Sequence, residues 1–477
     1  MGLIDALDIA LRGMAVEQNA IRTSSHNIAN VDTPGYSRQR VVRAAGDPFH
    51  HDAGALGTGV EQKTIVRAND AVIDRQILSE RSALGSANAQ LSALQQVEEV
   101  LNEQEGAGIG SALDALYGAF ADLAGNPSGS TERQAVVQAA QAAVDRIASA
   151  DRQLRDLQRS SNAAIESTLD EINEIAGRIA ELNVRIAHAE VSAPANDLRD
   201  QRDELMRDLA DRVDIHTVEE TDGKVFVYVN GGLALVQGEL ANRLEAAPDA
   251  TNPFDSSFSA VVFNGAGNRI DVTRTIAGGR IGGLLGTRDG VAASAIRDLD
   301  TVAYNLGAQV NQIHNAGVGL DGSTGDFFTP LAMVEDAARD LRVDARVATN
   351  LDAIAAGQST APGDNRNALD LAALRDSTAP LFAVGDPPGP ATGPSRSLID
   401  HVGAIGADYG QQAASMESAK TQRERVLETV ENRRDELVGV SLDEEMANLI
   451  KLEAAFQANA RMVDSVRRLF ESLLDIV

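Results

Sequence analysis

Seven histidines, 70 acidic residues and no cysteine bound the chemistry this chain can carry. His50, His51 and Asp52 stand together like a metal site, but no further ligand follows at helical or Cys/His spacing, so they read as solvated loop residues. The segment from Asp321 to Phe328 opens like a calcium loop. Its twelfth position is Ala332, where a bidentate Glu would have to stand, so it reads as a plain loop. "GAGIG", Gly106 to Gly110, has no strand before it and no ribose-binding acid after it, so a loop is expected there and not a dinucleotide fingerprint. His314, in "NQIHNAG", falls at a helix end, where a cation suits the dipole and a capping or packing role follows. No Walker A, G-x-S-x-G or H-E-x-x-H pattern occurs. This is the reading of a non-enzyme without catalytic residues, cofactor or metal.

What the spacing does support is apolar association. Leu442, Leu449, Phe456, Val463, Phe470 and Val477 recur every seven residues, and Leu452, Val466 and Leu473 fall three beyond Leu449, Val463 and Phe470, an a/d seam. At the other end Leu7, Met14, Ile21 and Ile28 repeat in the same way. A seam two side chains wide needs a partner helix, and the nearest is the opposite end of the chain. Two seam positions are polar, Glu445 and Asn459. A buried Asn sets register at some loss of stability, so Asn459 is expected to select the correct partner. Ordering about 65 terminal residues costs more entropy than the seam returns, so the ends are expected to be poorly ordered in a lone subunit and to fold when neighbours complete them.

The elements that must position this seam follow from periodicity and punctuation. Residues 3 to 29 read as one helix, ended by Asn30 in a left-handed position and by Pro34-Gly35 as the centre of a type II turn, with extended chain beyond. A helix is expected from Ala71 to Glu105. The proline-free stretch from Pro127 to Pro194 keeps Ile165, Ile172, Ile179 and Ile186 at heptad spacing and reads as a very long helix, followed by a shorter one capped by Asn196 or Asp197. Near residue 213 the period drops to two, with turns at Asp222-Gly223 and Asn230-Gly231-Gly232 and a second hairpin after Phe258. Helix returns roughly from Val291 to Asn315. Gly385 to Pro394 reads as an exposed loop, and Gly439 separates two last helices, the second opened by a Ser441/Glu444 capping box.

Composition agrees with a helical, assembling protein. Of 477 residues 43% are apolar but only 3% aromatic, with no Trp, so the apolar surface is mostly Ala, Leu, Ile and Val. A formal charge of −28 argues against nucleic acid and anionic membrane as partners. Without cysteine there is no disulfide framework. The N-terminus lacks the basic and apolar regions of a cleavable signal, and no apolar run is long enough to span a membrane.

"NIANVDTPGYSRQR", Asn27 to Arg40, whose turn is Asn30, Thr33, Pro34, Gly35 and Tyr36, resembles the N-terminal signature of the bacterial flagellar axial proteins, the rod, hook and hook-associated family. "VSLDEEMANLIKLEAAFQANARMVDSVRRLFESLLDIV" resembles that family's closing helix. "LRDQRDELMRDLADRVDI" before a hairpin, "GGRIGGLLGTRDG" before a helix ending "VNQIHNAGVGLDGSTGDFF", and "APGDNRNALDLAAL" are similar in order and wording to hook-associated members. The resemblance covers nearly the whole chain, although the central region is short for the family and Pro387 to Pro394 matches nothing assignable.

The resemblance implies a mainly α fold with a β insertion. Paired terminal helices form a coiled coil (1–40 plus 441–477), a long-helix bundle domain surrounds them (41–212 plus 281–440, with a mixed segment at 318–395), and a small β-rich domain lies outermost (213–280). It also implies a structural adaptor, secreted unfolded by the flagellar type III apparatus and polymerising with copies of itself between hook and filament. Its implied partners are the hook protein, a second junction protein and an export chaperone on the C-terminal helix. The alternatives are another axial protein, such as that second junction protein, and a cytoplasmic coiled-coil scaffold.

Overall fold

The computed structural model describes residues 2–51, 54–101, 108–229, 231–265, 267–385 and 391–474. The first helix, α1 (Leu3–Ala29), ends at Asn30, which sits at φ −110° and not in the left-handed region expected of it. Its amide instead donates to the His26 carbonyl at 2.9 Å. The left-handed position falls to Gly35, φ 77°, after Pro34, and the turn closes with the Tyr36 N–H on the Thr33 carbonyl at 3.2 Å. The chain then doubles back as a ribbon, β1 (Gln39–Ala45), β2 (Phe49–His51), β3 (Gly54–Leu56) and β4 (Val60–Arg67), in which β1 pairs antiparallel with β4 and β2 with β3. The ribbon lies along α1, tied by Arg43 to Glu17 and by Asn19 to Gln62.

Asp70 caps α2 (Ala71–Val100) through the N–H groups of Val72 and Ile73. The helix expected to reach Glu105 is described to Val100, and residues 102–107 lie outside the described residues. Ile109 and Gly110, expected in a loop, open a helix, α3 (Ile109–Gly125). Leu113, Leu116, Phe120 and Leu123 bury one face of it, and that helical spacing outweighs the weak propensity of its glycines. The long helix, α4 (Ser130–Glu190), has 61 residues and a length of about 90 Å. Next, α5 (Asn196–Arg212) starts after Ala195, not at an Asn196 or Asp197 cap; the Asn196 amide reaches the Ile65 carbonyl of the ribbon instead.

The β insertion forms two antiparallel sheets. One is β5 (Ile215–Glu219), β6 (Val225–Val229), β7 (Leu233–Gln237) and β8 (Leu240–Ala241) in sequence order; in the other β10 (Ser259–Gly265) lies between β9 (Arg243–Pro248) and β11 (Asn268–Asp271). The turn at Asp222-Gly223 forms as expected, with Gly223 at φ 80°. Asn230 of the second turn lies outside the described residues.

Helix resumes earlier than expected, at Gly279 and not Val291: α6 (Gly279–Gly286), a π turn at Thr287–Val291 and α7 (Ala292–His314) run on continuously. The glycines permit this because α6 lies directly on α2, where a Cβ on Gly283 would sit 2.5 Å from the Ser86 carbonyl. Short helices α8 (Ala337–Asp340), α9 (Ala345–Thr349) and α10 (Arg366–Ala373) make up the mixed segment. Finally α11 (Leu398–Val438) returns antiparallel to α2, with Gly410 beside Glu98 and Arg434 beside Asp74, and α12 (Leu442–Leu474) lies antiparallel on α1. Only half of the expected capping box is present. Ser441 Oγ accepts the Glu444 N–H, but the Glu444 carboxylate takes Arg38 at 2.8 Å.

Two apolar cores share α4. Its first half packs with α3, α7 and the short helices around Phe120, Phe327 and Phe328, and its second half packs with α5, α6 and both sheets around Ile172, Ile179, Val227 and Val261. Helix α4 is thus the beam on which the body is built.

Candidate functional site

The terminal helices meet the body at a polar junction built around the Asn30 to Tyr36 turn. Asn27, in the last turn of α1 and almost fully buried, acts as a spare peptide group. Its Nδ2 donates to the Gln39 carbonyl at 2.9 Å, and its Oδ1 accepts the Gln39 N–H at 3.0 Å and the Tyr36 hydroxyl at 2.8 Å. The amide therefore clips the returning chain to the helix it has just left. Asn30 Oδ1 accepts the Thr33 hydroxyl, and His26 Nδ1 lies 3.0 Å from the Tyr36 oxygen. Burial, and then the carboxylates of Asp197, Asp200 and Glu445, hold the Tyr36 hydroxyl above its ordinary pKa, so it remains a donor.

The outer side of the turn docks on α5. Asp200 accepts the Ser37 N–H at 3.0 Å and Arg67 at 2.7 Å, and Arg67 also takes Asp203, one turn along α5. Burial opposes the Arg67 charge, but Asp203 and Asp200 outweigh it and hold its pKa above the ordinary value. Gln39 reaches Asp197 at 2.7 Å. A side chain on Gly35 would place its Cβ 2.9 Å from Glu204 Oε2, so the glycine serves both the left-handed turn and the close approach.

The inner side docks on the junction of α11 and α12. The Arg38 N–H donates to the Val438 carbonyl at 2.8 Å, and Arg434 reaches the Gly35 carbonyl and the Ser37 hydroxyl, both at 3.3 Å. Arg38 Nε then meets Glu445 at 2.6 Å, and the Ser24 hydroxyl donates to the same carboxylate. The two linkers that join the helix pair to the body, residues 30–38 and 439–441, are thereby bridged to each other.

Along the pair itself, Gly13 meets Asn459 and Ser24 meets Glu445, and the line of α1 through them, Ala10, Gly13, Glu17, Ala20, Ser24 and Asn27, is buried, as are Val16 and Thr23 beside it. Leu7, Met14, Ile21 and Ile28, expected at the seam, flank that line half-buried, because small residues allow the backbones to approach and push larger side chains to the rim. On α12 Val466 is buried, Leu449, Leu452, Phe456, Asn459, Val463 and Phe470 are half-buried, and Leu442 is exposed. Leu473 lies in the last turn of α12, and Val477 lies outside the described residues. Ile4 and Leu11 on α1, with Met446, Ile450, Met462 and Leu469 on α12, stand in solvent.

The residues weighed for chemistry are dispersed. His50 and His51 fall in β2, and Asp52 lies outside the described residues. His314 is not the cation expected at a helix end. Burial lowers its pKa to about 4, and the neutral ring lies between the Gly325 carbonyl, 2.6 Å from Nδ1, and the Ala355 N–H, 3.0 Å from Nε2. Asp321 accepts the Ser323 N–H within its own loop. No group of three or more potential metal ligands gathers among the described residues, and no helix among them is long and apolar enough to cross a membrane.

Sequence reasoning located the turn but missed its sockets: Asn27, Arg38, Arg67, Asp200 and Arg434. The signal available was the Asp200/Asp203 spacing, which sets two carboxylates on one face of a helix.

Residues 94–328 match the helical domain of the flagellar hook-associated protein FlgK, residues 7–36 the flagella basal body rod protein family, and residues 433–476 the C-terminal family of the flagellar basal body rod FlgEFG proteins. The chain is 28% identical to flagellar hook-associated protein 1 of Bacillus subtilis, over 98% of this chain and 97% of that one. It is 24% identical to the Salmonella typhimurium protein of the same name, over 98% and 99%. A solved structure of the flagellar hook junction protein FlgK from Burkholderia pseudomallei superposes with a TM-score of 0.63 at 17% identity, over 77% of this chain and the whole of that one. Both rod-type ends, the hook-associated helical domain between them and relatives of one name over 98% of the chain make it similar, along nearly its whole length, to flagellar hook-associated protein 1 (FlgK).

Proposed function

We propose that this chain is a structural subunit of the bacterial flagellum, a junction adaptor that polymerises between hook and filament. The observation that carries this reading is the terminal helix pair. Its inward face is satisfied within the chain, while Ile4, Leu11, Met446, Ile450, Met462 and Leu469 remain in water. An apolar face of that size on a two-helix layer calls for further helices, and a heterologous contact between identical copies supplies them in a tube. The seam of Leu7, Met14, Ile21 and Ile28 with Leu442 to Val477 is then the assembly surface, the paired helices lie innermost and the β insertion outermost.

On the same reading the chain leaves the cell through the flagellar type III apparatus, contacts the hook protein and a second junction protein, and offers α12 to an export chaperone. Its role is mechanical and non-enzymatic. Electron microscopy of a deletion strain tests the reading: hooks without filaments, with flagellin shed into the medium, are expected. Normal filaments on hooks would refute it.

A further inference from the structure

The apolar part of the α1/α12 contact does not define a single register. The side chains on α12 repeat every seven residues, and the facing line of α1 is small and smooth, Ala10, Gly13 and Ala20. A slide of seven residues, about 10 Å, therefore sets apolar groups on small ones again. Something polar must break the degeneracy. Asn459 packs over Gly13, where an added Cβ would lie 2.9 Å from its Nδ2, but its side chain makes no hydrogen bond to another described residue.

Glu445 is different. It is 3% exposed and held from two elements, by Ser24 of α1 and by Arg38, whose own N–H is fixed to the Val438 carbonyl. Ser24 lies on the row of α1 that also carries Ala10 and Glu17 at seven-residue intervals. A slip of one heptad in one direction brings Glu445 level with Glu17, a second buried carboxylate already paired through both oxygens with Arg43. The opposite slip carries Glu445 past the end of α1, level with Val31. Either slip strips a buried charge of Arg38, which cannot follow because its backbone is tied to α11.

We propose that Glu445 is the positioning residue that sets the register of α12 on α1. The two glutamates one heptad apart in the paired rows leave a single alignment in which each buried carboxylate has its own arginine. This holds within one chain, whatever the pair assembles against.

The absence of native cysteine allows a clean test on the purified full-length protein. Gly13→Cys is combined in turn with Asn459→Cys, Leu452→Cys and Val466→Cys, the partners in the native register and in the two slipped ones, and disulfide yield is measured under mild oxidation. With Glu445 in place the Asn459→Cys pair is expected to oxidise several-fold more than the others. In a Glu445→Leu background, with helicity by circular dichroism unchanged, yield is expected to spread to the slipped pairs, and Glu445→Gln, which still accepts from Ser24 and Arg38, is expected to restore the preference. If Glu445→Leu unfolds the pair, Ser24→Ala with Arg38→Ala replaces it and should give the same spread. An unchanged preference for Asn459→Cys in these backgrounds, or no preference with Glu445 present, overturns the proposal.

Discussion

Asn27 illustrates how one amide can organise a connection. Its carbonyl oxygen and NH2 satisfy both backbone groups of Gln39 and receive the Tyr36 hydroxyl, so Asn27→Ala strands three half-buried polar groups at once. The cost is about 2 kcal/mol or more, and amide exchange at residues 36–40 should accelerate by roughly thirty-fold. Asp300 predicts a pH dependence. It is buried on α7, where it accepts the N–H groups of Asp336 at 3.1 Å and Ala338 at 2.9 Å, and burial pushes its pKa up to about 7. Because the folded value lies above the ordinary carboxyl value, the fold favours the protonated form. Stability therefore rises as pH falls from about 7 to about 4 and is lowest, on this account, above 7. Asp300→Asn should flatten that window and exceed the natural protein at pH 8 by on the order of 2 kcal/mol in urea unfolding, with little difference at pH 4.

At the scale of elements, α1 and α12 are held unequally. The ribbon backs α1 with Arg12 to Glu61, Asn19 to Gln62 and Arg43 to Glu17, whereas the polar ties from α12 to other elements sit in its first turn, at Glu444 and Glu445. The rest of α12 rides on half-buried apolar contacts, and those are what neighbours would complete. Met446→Glu with Ile450→Glu should leave the melting of the isolated chain nearly unchanged, since both side chains already stand in water, yet abolish incorporation into the junction. The measurement is a melt of purified protein beside immunolabelling of hooks, and normal labelling would remove this face from the assembly surface.

For the whole molecule, charge is distributed in favour of assembly. The acids and bases of α1 and α12 leave the two helices at −3, against −28 for the chain, so the body and β insertion carry nearly all the repulsion. Raising salt from about 0.01 to about 0.15 M shortens the screening length from roughly 30 to 8 Å and should promote self-association. Light scattering checks this, and a fall in association with salt would mean that copies are held by ion pairs and not by apolar faces.

Local pattern was enough for α1, α4, the β insertion and the Pro34-Gly35 turn, because heptads, alternation and a forced left-handed glycine are properties of neighbours in sequence. It was not enough for the helical start at Gly279, twelve residues before the expected one, where closely spaced glycines are accommodated by close contact with α2, nor for the buried line of α1, where Ala10, Gly13 and Ala20 displace the larger heptad residues to the rim. It also could not bring the turn to Asp200 and Arg67 or Glu445 to Ser24 and Arg38. Those pairings join residues from about 130 to over 400 positions apart in the chain, and only the folded geometry sets the distances on which a charge-assisted hydrogen bond depends.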